Sequence, residues 1–331
     1  MSQSTVSIVI PCYNGEQFID HSIRSVWEQD YPHVELIVVN DGSEDRTGER
    51  ILAWKQSFAD KGWELKYLYQ DNQGQGVATD RALKHVTGEY LTLLDADDVY
   101  LPGAIRKKAE FLDAHPDYAG VRNNGILVKA GERSLFMTSD EEKGISDLFT
   151  ALTFGRTNNW AGTYMVRTSI LFDFYPDRCI DPSRLGQNFQ ILLPVAYDRK
   201  FGYIDEPLME YRVQADSHSQ ASDLHVWYRK NRENSIGWRN IYRNIVIRLI
   251  GDPERRAYYL NAYDSVFYRS AMNRAVAYHH ATDARENYKL LKKTGYLTLD
   301  DRINCAKILC PILALGLRLI RKIRSLICKQ K

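Results

Sequence analysis

The fold is decided by residues 6–43, which read VSIVIPCYNGEQFIDHSIRSVWEQDYPHVELIVVNDGS. Two continuous apolar runs, at 6–11 and 34–40, flank a segment in which apolar residues repeat at helical spacing from Ile19 to Trp27. Apolar runs of this length are typical of strands that are buried on both faces of a parallel sheet. Because parallel strands need a crossover connection, the stretch predicts a strand, a helix and a second, parallel strand.

The same alternation continues along the chain. LKYLYQ at 65–70 and YLTLLD at 90–95 are further apolar runs, and a helical stripe at 78–86 lies between them, with Gly88 as its expected C-cap. Strands and helices that alternate at this spacing predict an α/β fold with a doubly wound, mostly parallel sheet. Residues 224–293 have a mostly helical pattern.

Polar residues follow each of the four predicted strands. The four strand ends read Cys12-Tyr13-Asn14, Asn40-Asp41-Gly42-Ser43, Asp71-Asn72 and Asp95-Ala96-Asp97-Asp98. The carboxyl ends of parallel strands lie at one edge of such a sheet, and ligands bind in the crevice outside that edge. We therefore expect a binding site where these four segments converge.

The fourth strand end carries three carboxylates, Asp95, Asp97 and Asp98. Carboxylates this close raise each other's pKa unless a cation lies among them. In one interpretation the segment is a solvated turn and one aspartate is the N-cap of a helix near Pro102. In the other, Asp95 and Asp97 point the same way from extended backbone and share Mg²⁺ or Mn²⁺, whose remaining ligands are substrate phosphates. The spacing alone leaves both interpretations open.

Composition and motifs exclude two classes of binding protein. A dinucleotide-binding fold is disfavoured because the first turn, PCYNGE, has one glycine, and QGQGVA at 73–78 lacks the full G-x-G-x-x-G spacing. The net charge of +2 is unevenly distributed along the chain. Residues 302–331 contain eight Lys or Arg and no acidic residue, so the rest of the chain has a net charge of 2 − 8 = −6. This acidic body, without a basic and aromatic motif, predicts no nucleic-acid partner.

Three motifs together resemble glycosyltransferase family 2, whose members have the GT-A nucleotide-diphospho-sugar transferase fold. They are PCYN at 11–14, DGS at 41–43 and LDADD at 94–98. The resemblance covers residues 5–115 closely and extends more loosely to about 220. It implies an enzyme that uses Mn²⁺ or Mg²⁺ to move a sugar from a nucleotide-sugar, a UDP-sugar first of all, to a glycan or lipid-linked oligosaccharide. The implied pathway is the synthesis of a surface polysaccharide such as an O-antigen or a capsule.

The resemblance also implies roles for individual residues. The implied donor-site residues are Pro11, Tyr13, Asn14, Asp41, Asp95 and Ala96, and the implied metal ligands are Asp97, Asp95 and His218. Asp41 would contact the nucleobase or ribose, and Asp97 would be the main metal ligand. His218 would complete the metal shell or touch the diphosphate, although a histidine of an ordinary surface loop is the alternative. Trp160 could stack on an acceptor sugar or be a half-buried core residue.

The sequence departs from the family at the catalytic base. Inverting members carry an acidic residue of a Glu-Asp pair where this chain has Gln187-Asn188, and an amide cannot take a proton from a hydroxyl. Three alternatives follow. Asp181 could be the base, the mechanism could be retaining with Gln187 or Asn188 under the sugar, or the enzyme could be weak or inactive. Asn40 and Thr79-Asp80 also stand where the family has an acid and Arg-Asn.

Two other functions compete with sugar transfer. A nucleotidyltransferase could use a similar sheet edge with metal-binding aspartates, but it would need a basic phosphate loop after the first strand, and PCYNGEQF contains no Lys or Arg. A non-catalytic module that binds a nucleotide-sugar is favoured only by the amide at Asn188.

The expected domains are a catalytic domain at 1–220, with a nucleotide-sugar half at 1–100 and an acceptor half at 101–220, a helical region at 221–301 and a basic tail at 302–331. Asp252-Pro253-Glu254 predicts a helix start in the helical region.

The tail has apolar residues on one helical face and cations on the other, and its apolar run is too short to span a bilayer. Residues 305–331 therefore predict a helix lying on an anionic membrane surface; a helix packed on the body, or an oligomer contact, is the alternative. Five cysteines without zinc spacing, and no leader before the first strand, predict a cytoplasmic protein on the inner face of the membrane.

Overall fold

The structure is a computed structural model, and it describes residues 4–157, 160–213 and 224–309. The chain divides into two compact units. The first consists of Met1–Leu152 and Arg156–Ser217, and the second of Thr153–Gly155 and His218–Lys331. His218, and the tail from residue 310 onwards, lie outside the described residues.

One mixed sheet forms the centre of the first unit. In the described residues its strands are β1 Val6–Cys12, β2 Val34–Asp41, β3 Glu64–Gln70, β4 Tyr90–Leu93, β5 Val99–Tyr100, β6 Tyr118–Lys129, β7 Glu132–Leu135, β8 Tyr164–Arg167 and β9 Lys200–Arg212. The order across the sheet is β3-β2-β1-β4-β8-β6-β9-β5, and β7 pairs with β6. The four predicted strands are thus confirmed as the neighbours β3, β2, β1 and β4, which are all parallel.

The second half of the sheet changes strand direction. β8 is antiparallel to both β4 and β6, β6 and β9 are parallel, and β5 is antiparallel to β9. Every residue of β1 and β2 is buried, because helices cover both faces of the sheet there. The apolar runs of these strands therefore identified the part of the fold whose burial is most complete.

The helices of the sheet-containing part connect these strands. They are α1 Ile19–Trp27, α2 Thr47–Ala53, α3 Lys55–Asp60, α4 Gln75–Leu83, α5 Ala104–Ala114, α6 Asp140–Lys143, α7 Leu148–Thr153, α8 Thr168–Phe174 and α9 Gln187–Ala196. The two predicted helical stripes belong to α1 and α4. The expected C-cap at Gly88 is wrong, because α4 ends at Leu83 and Lys84 is its right-handed cap. Gly88 instead lies against β1, where a Cβ atom would stand 2.7 Å from the carbonyl oxygen of Thr5.

The second unit is helical in its described part. Its helices are α10 Leu224–Leu249, α11 Pro253–Ala277, α12 Ala281–Lys293 and α13 Leu299–Leu309. The predicted start of α11 is confirmed: Asp252 is the N-cap and accepts the backbone N–H of Arg255 at 2.7 Å. None of the helices in the described ranges is long and apolar enough to cross a membrane. The predicted tail border at residue 302 falls inside α13.

Candidate active site

The three aspartates follow β4 in a tight turn. The backbone N–H of Asp98 donates to the carbonyl oxygen of Asp95 at 3.1 Å, and Ala96 is buried inside the turn. The expectation of extended backbone from Asp95 to Asp97 is therefore wrong. The helix-cap interpretation is also wrong, because α5 begins at Ala104 and its N-cap is Gly103.

The turn holds its carboxylates in each other's electric field. Asp98 is fully buried; its Oδ1 accepts the backbone N–H of Arg212 at 3.1 Å, and its Oδ2 has no hydrogen-bond partner in the described residues. Burial raises the pKa of Asp98 well above its usual range, and the charges of Asp95 and Asp97 raise it further. Burial, followed by the charge of Asp97, raises the pKa of Asp95 to about 7. The carboxylates thus disfavour one another's ionised forms.

This donor set fits a divalent metal ion in its chemistry. Carboxylate oxygens are hard ligands, and a nearby cation reverses the like-charge repulsion that raises their pKa values. Oδ2 of Asp98 is also a buried carboxyl oxygen without a hydrogen-bond partner in the described residues, which a cation could supply. Across the described ranges, however, no group of three or more His, Cys, Asp or Glu residues is arranged to hold a metal ion.

Asp41 fixes the loop between β3 and α4. Its buried carboxylate accepts hydrogen bonds through Oδ1 from Gln70 Nε2 at 2.7 Å and from the backbone N–H of Gln73 at 2.9 Å. Its Oδ2 accepts the backbone N–H of Gly74, the N-cap of α4, at 2.7 Å. Asp41 therefore holds the third strand end against the second.

The loops after β1 and β2 are joined through Asn14. Its backbone N–H donates to Ser43 Oγ at 2.9 Å, and its Oδ1 accepts the backbone N–H of Glu44 at 3.0 Å. Tyr13, next to it, is 36% exposed, and Pro11 is buried in β1. The structure thus brings the predicted residues of the first two strand ends together and leaves the Tyr13 ring partly open to solvent.

The segment before α9 packs on the N-terminus of α4. The backbone N–H of Gly76 donates to the carbonyl oxygen of Arg184 at 3.2 Å, and Gln187 Nε2 donates to Gln75 Oε1 at 3.2 Å. A Cβ atom on Gly76 would stand 2.0 Å from the carbonyl oxygen of Ser183, so only glycine permits this approach. Gln187 is thereby placed beside the third strand end.

The backbone of Asp181 is held by two hydrogen bonds with the side chain of Gln190. Its N–H donates to Gln190 Oε1 at 2.6 Å, and its carbonyl oxygen accepts Gln190 Nε2 at 3.1 Å. The preceding N–H, of Ile180, donates to Asp80 Oδ1 at 2.8 Å. Asp80 is one of the residues at which the sequence departs from the family pattern, and here it ties this segment to α4.

Asn188 is tied through Tyr164 to β4, the strand that precedes the three aspartates. Asn188 Oδ1 accepts the hydroxyl of Tyr164 at 2.6 Å, and Thr92 of β4 donates to the carbonyl oxygen of Tyr164 at 2.7 Å. Burial raises the pKa of Tyr164, and the negative charge of Asp95 raises it further. Sequence reasoning missed Tyr164, because a buried tyrosine in a strand has no distinguishing pattern.

Three aromatic side chains pack on one another, and one of them, Tyr211, precedes Arg212, whose backbone N–H binds Asp98. Trp160 stacks on Tyr211 with ring centroids 5.6 Å apart, and Phe136 contacts Trp160 edge-on at 4.0 Å. Burial raises the pKa of Tyr211, and the charges of Asp98, Asp97 and Asp95 add to this effect. Trp160 is half-buried, so its placement is compatible with both of its predicted roles.

The family of this chain follows from comparison with known proteins. The family model described as "Glycosyl transferase family 2" matches residues 7–171. These residues include β1 to β4, the turn at Asp95–Asp98 and Tyr164. These residues are a glycosyltransferase family 2 domain. The chain is therefore a glycosyltransferase, and the nucleotidyltransferase alternative does not hold.

Two curated relatives differ in how much of this glycosyltransferase they cover. An uncharacterised glycosyltransferase of Nostoc sp. is 26% identical over 253 residues, which are 74% of this chain and 76% of the relative. The putative teichuronic acid biosynthesis glycosyltransferase TuaG of Bacillus subtilis is 35% identical over 107 residues, which are 32% of this chain and 41% of TuaG. The chain thus spans less than half the length of TuaG.

Two solved structures have a similar fold. S. aureus TarS 1–349 in complex with UDP-GlcNAc has a TM-score of 0.54 and 19% identity, covering 87% of this chain and 90% of that one. The mannosyltransferase PcManGT from Pyrobaculum calidifontis, in complex with GDP-Man and Mn²⁺, has a TM-score of 0.55 and 16% identity, covering 98% and 85%. At these identities the similarity shows the α/β GT-A fold alone.

Proposed function

We propose that this glycosyltransferase moves a sugar from a nucleotide-diphosphate-sugar, a UDP-sugar first of all, to a glycan or lipid-linked oligosaccharide acceptor in surface polysaccharide synthesis. The observation that carries the proposal is the turn after β4. Asp95, Asp97 and the buried Asp98 lie close enough there to raise one another's pKa, at the edge of the sheet where the strand ends converge. The ligands of TarS and PcManGT, and the pathway named for TuaG, support the proposal.

The proposed cofactor is Mn²⁺ or Mg²⁺, held by Asp95 and Asp97, with His218 as a further candidate ligand. When bound, such an ion would neutralise the diphosphate leaving group. Asp98 would act differently from the other two, because its Oδ1 holds the end of β9 at Arg212. PcManGT, whose complex contains Mn²⁺, supports this choice of metal.

The proposed nucleotide pocket is built from the first three strand ends. Pro11, Tyr13 and Asn14 would shape one side, with the partly exposed Tyr13 ring available to a base or ribose. Asp41 and Ala96 complete the predicted set. Three donors of the chain already bind the Asp41 carboxylate, so its contribution would include holding the Gln73–Gly74 backbone beside the nucleotide.

For the base, we propose Asp181, with Gln187 and Asn188 as residues that position substrate. The amide of Asn188 cannot accept a proton. A retaining mechanism, in which no such base is needed at this position, is the competing route. The product's stereochemistry separates these two routes.

The proposed place of action is the cytoplasmic face of the cell membrane. The eight cations and no acids of residues 302–331 support binding to anionic lipid headgroups. A lipid-linked acceptor would then be concentrated on the same surface as the enzyme.

The test is a screen of nucleotide-sugars, including UDP-GlcNAc, UDP-glucose, UDP-galactose and GDP-mannose, for release of the nucleoside diphosphate with Mn²⁺, with Mg²⁺ and with EDTA. We expect release with at least one UDP-sugar and its loss with EDTA. Binding of a nucleotide-sugar without any release would instead support the non-catalytic module. Release that is unaffected by EDTA would overturn the metal assignment.

A further inference from the structure

Asn188 has a fixed orientation because a buried phenol holds one end of its amide. Tyr164 is only 1% exposed, and its hydroxyl stands 2.6 Å from Asn188 Oδ1. Burial, followed by the charge of Asp95, raises the pKa of Tyr164. The tyrosine hydroxyl is the donor in this hydrogen bond, so Oδ1 of the amide faces Tyr164.

The nitrogen of the same amide, Nδ2, is available to bind a group outside the described residues. Asn188 lies in the first turn of α9, is half-buried, and its Nδ2 makes no hydrogen bond to any residue in the described ranges. Tyr164 belongs to β8, the strand that neighbours β4 in the sheet, and the charge of Asp95 reaches its ring. The unused donors therefore belong to a residue that is held by a tyrosine of the strand next to β4.

We propose that Tyr164 is a positioning residue that orients Asn188, so that Nδ2 donates a hydrogen bond to an oxygen of the bound substrates. This proposal rests on the proposed function. The oxygen is a hydroxyl of the acceptor glycan or an oxygen of the nucleotide-sugar, since both carry the lone pair that an N–H donor needs. Position 188 then offers the substrate a donor, which is the opposite of what a general base offers.

The alternative is that the Tyr164 hydroxyl only ties β8 to α9. A purely structural bond would change the free energy of unfolding without changing how position 188 treats the substrate. The two roles therefore differ in the response of the reaction to the chemistry of residue 188, and in whether Tyr164 acts through that residue.

The decisive variant is Asn188→Asp, which keeps an oxygen for Tyr164 and replaces the free N–H₂ group by a second oxygen. We expect kcat at neutral pH to fall at least tenfold, since an acceptor then faces the substrate oxygen. Part of the loss should be recovered as the pH is lowered, because a protonated carboxyl is a donor again. A kcat for Asn188→Asp at or above that of the native protein at neutral pH would overturn the proposal and favour a base at this position.

The second variant tests whether Tyr164 acts through Asn188. Tyr164→Phe removes only the hydroxyl, and we expect kcat to fall about tenfold in the native background but less than twofold in an Asn188→Ala background. The matched control is Tyr90→Phe, which removes another buried hydroxyl, bonded to Asp113 at 2.6 Å. Equal effects of Tyr164→Phe in both backgrounds would show a structural bond and overturn the positioning role.

The source of the oxygen is read from two assays on the same variants. One follows hydrolysis of UDP-GlcNAc and GDP-mannose without a glycan, and the other follows transfer to octyl glycosides of glucose, galactose and N-acetylglucosamine. Loss of transfer alone identifies an acceptor hydroxyl, and equal loss in both assays identifies the nucleotide-sugar. A native protein that turns over none of UDP-GlcNAc, UDP-glucose, UDP-galactose and GDP-mannose would refute the proposed function itself, whereas active native protein with an unaffected Asn188→Asp variant refutes only this inference.

Discussion

The buried carboxylate of Asp41 accepts a hydrogen bond from the backbone N–H of Gly74 at 2.7 Å, and this bond joins the end of β2 to the N-cap residue of α4. Two more donors, from Gln70 and Gln73, bind the other oxygen of Asp41. A single side chain thus sets the shape of the edge at which a nucleotide is expected.

Replacing Asp41 should therefore weaken nucleotide binding. Asp41→Ala leaves three donors without their acceptor. We therefore expect the free energy of UDP binding to become less favourable by about 1–3 kcal/mol. Isothermal titration with UDP and Mn²⁺ measures the change. Glu28→Ala, at an exposed position after α1, is the control and should bind like the native protein. An unchanged Kd for the Asp41 variant would remove this residue from the site.

The metal assignment predicts a different result for Asp97. Asp97→Ala deletes the main proposed ligand, so we expect transfer to be abolished and UDP binding to become independent of Mn²⁺. Titrations of UDP with and without Mn²⁺ separate this from a general loss of affinity. Asn188→Ala should impair turnover less, because an amide can only position the substrate. Near-normal turnover of Asp97→Ala would show that the cation is held elsewhere.

The sequence predicted the first four strands to within one or two residues, because a strand buried on both faces must be apolar throughout. It also predicted that the strand ends converge. It could not predict the turn at Asp95–Asp98, since backbone conformation there depends on β5 pairing with β9, more than a hundred residues away. Tyr164 was missed because a buried tyrosine in a strand has no distinguishing pattern. Asp80 was noticed, but its contact was not predicted, because its partner Ile180 is distant in sequence.

A buried lysine gives a pH prediction that does not involve the aspartates. Lys108 is fully buried, donates to the carbonyl oxygen of Gly162 at 3.1 Å, and lies over the ring of Tyr100. Burial lowers the pKa of Lys108 to about 7. Between that pH and its ordinary pKa of 10.5 the unfolded chain binds more protons than the folded one, so the free energy of unfolding should rise with pH across this window.

Lys108→Met removes the titrating group and should flatten this dependence. Denaturant unfolding at several pH values from 6 to 9.5 measures the effect, and the contribution of the lysine is on the order of a few kcal/mol. The native protein should gain stability relative to the variant as the pH rises. Parallel curves for the two proteins would mean that Lys108 titrates normally. Lys129→Met, at an exposed position, is the control.

The role of Asp181 is tested through the stereochemistry of the product. If Asp181 is the base, the anomeric configuration inverts, and Asp181→Asn lowers kcat by about 10²-fold or more with the KM for the donor little changed. Anomeric coupling constants in the NMR spectrum of the first product read the configuration directly. A retained configuration would exclude Asp181 as the base, whatever the kinetic effect of the variant.

The test of the predicted membrane binding depends on the residue at which the C-terminal tail is truncated. α13 extends to Leu309, and its Cys305 is buried against Met272 and Leu291, so a cut at residue 305 would remove part of the core of the second unit. Deletion of residues 310–331 avoids this and still removes six Lys or Arg. Each cation near an anionic surface contributes about 1 kcal/mol. We therefore expect binding to liposomes that contain anionic lipid to weaken at least tenfold, while donor hydrolysis stays intact.

A matched variant separates charge from apolar insertion in the tail. Replacing Arg318, Arg321, Lys322 and Arg324 by Gln keeps the length and apolar residues of the tail, and should weaken binding to anionic liposomes most at low salt. Sedimentation with liposomes of increasing anionic content, at two salt concentrations, measures both effects. Equal binding by native and truncated protein would count against the membrane role of the tail. Binding by the native protein that ignores salt and lipid charge would do the same, because screening must weaken an attraction between the tail and the headgroups.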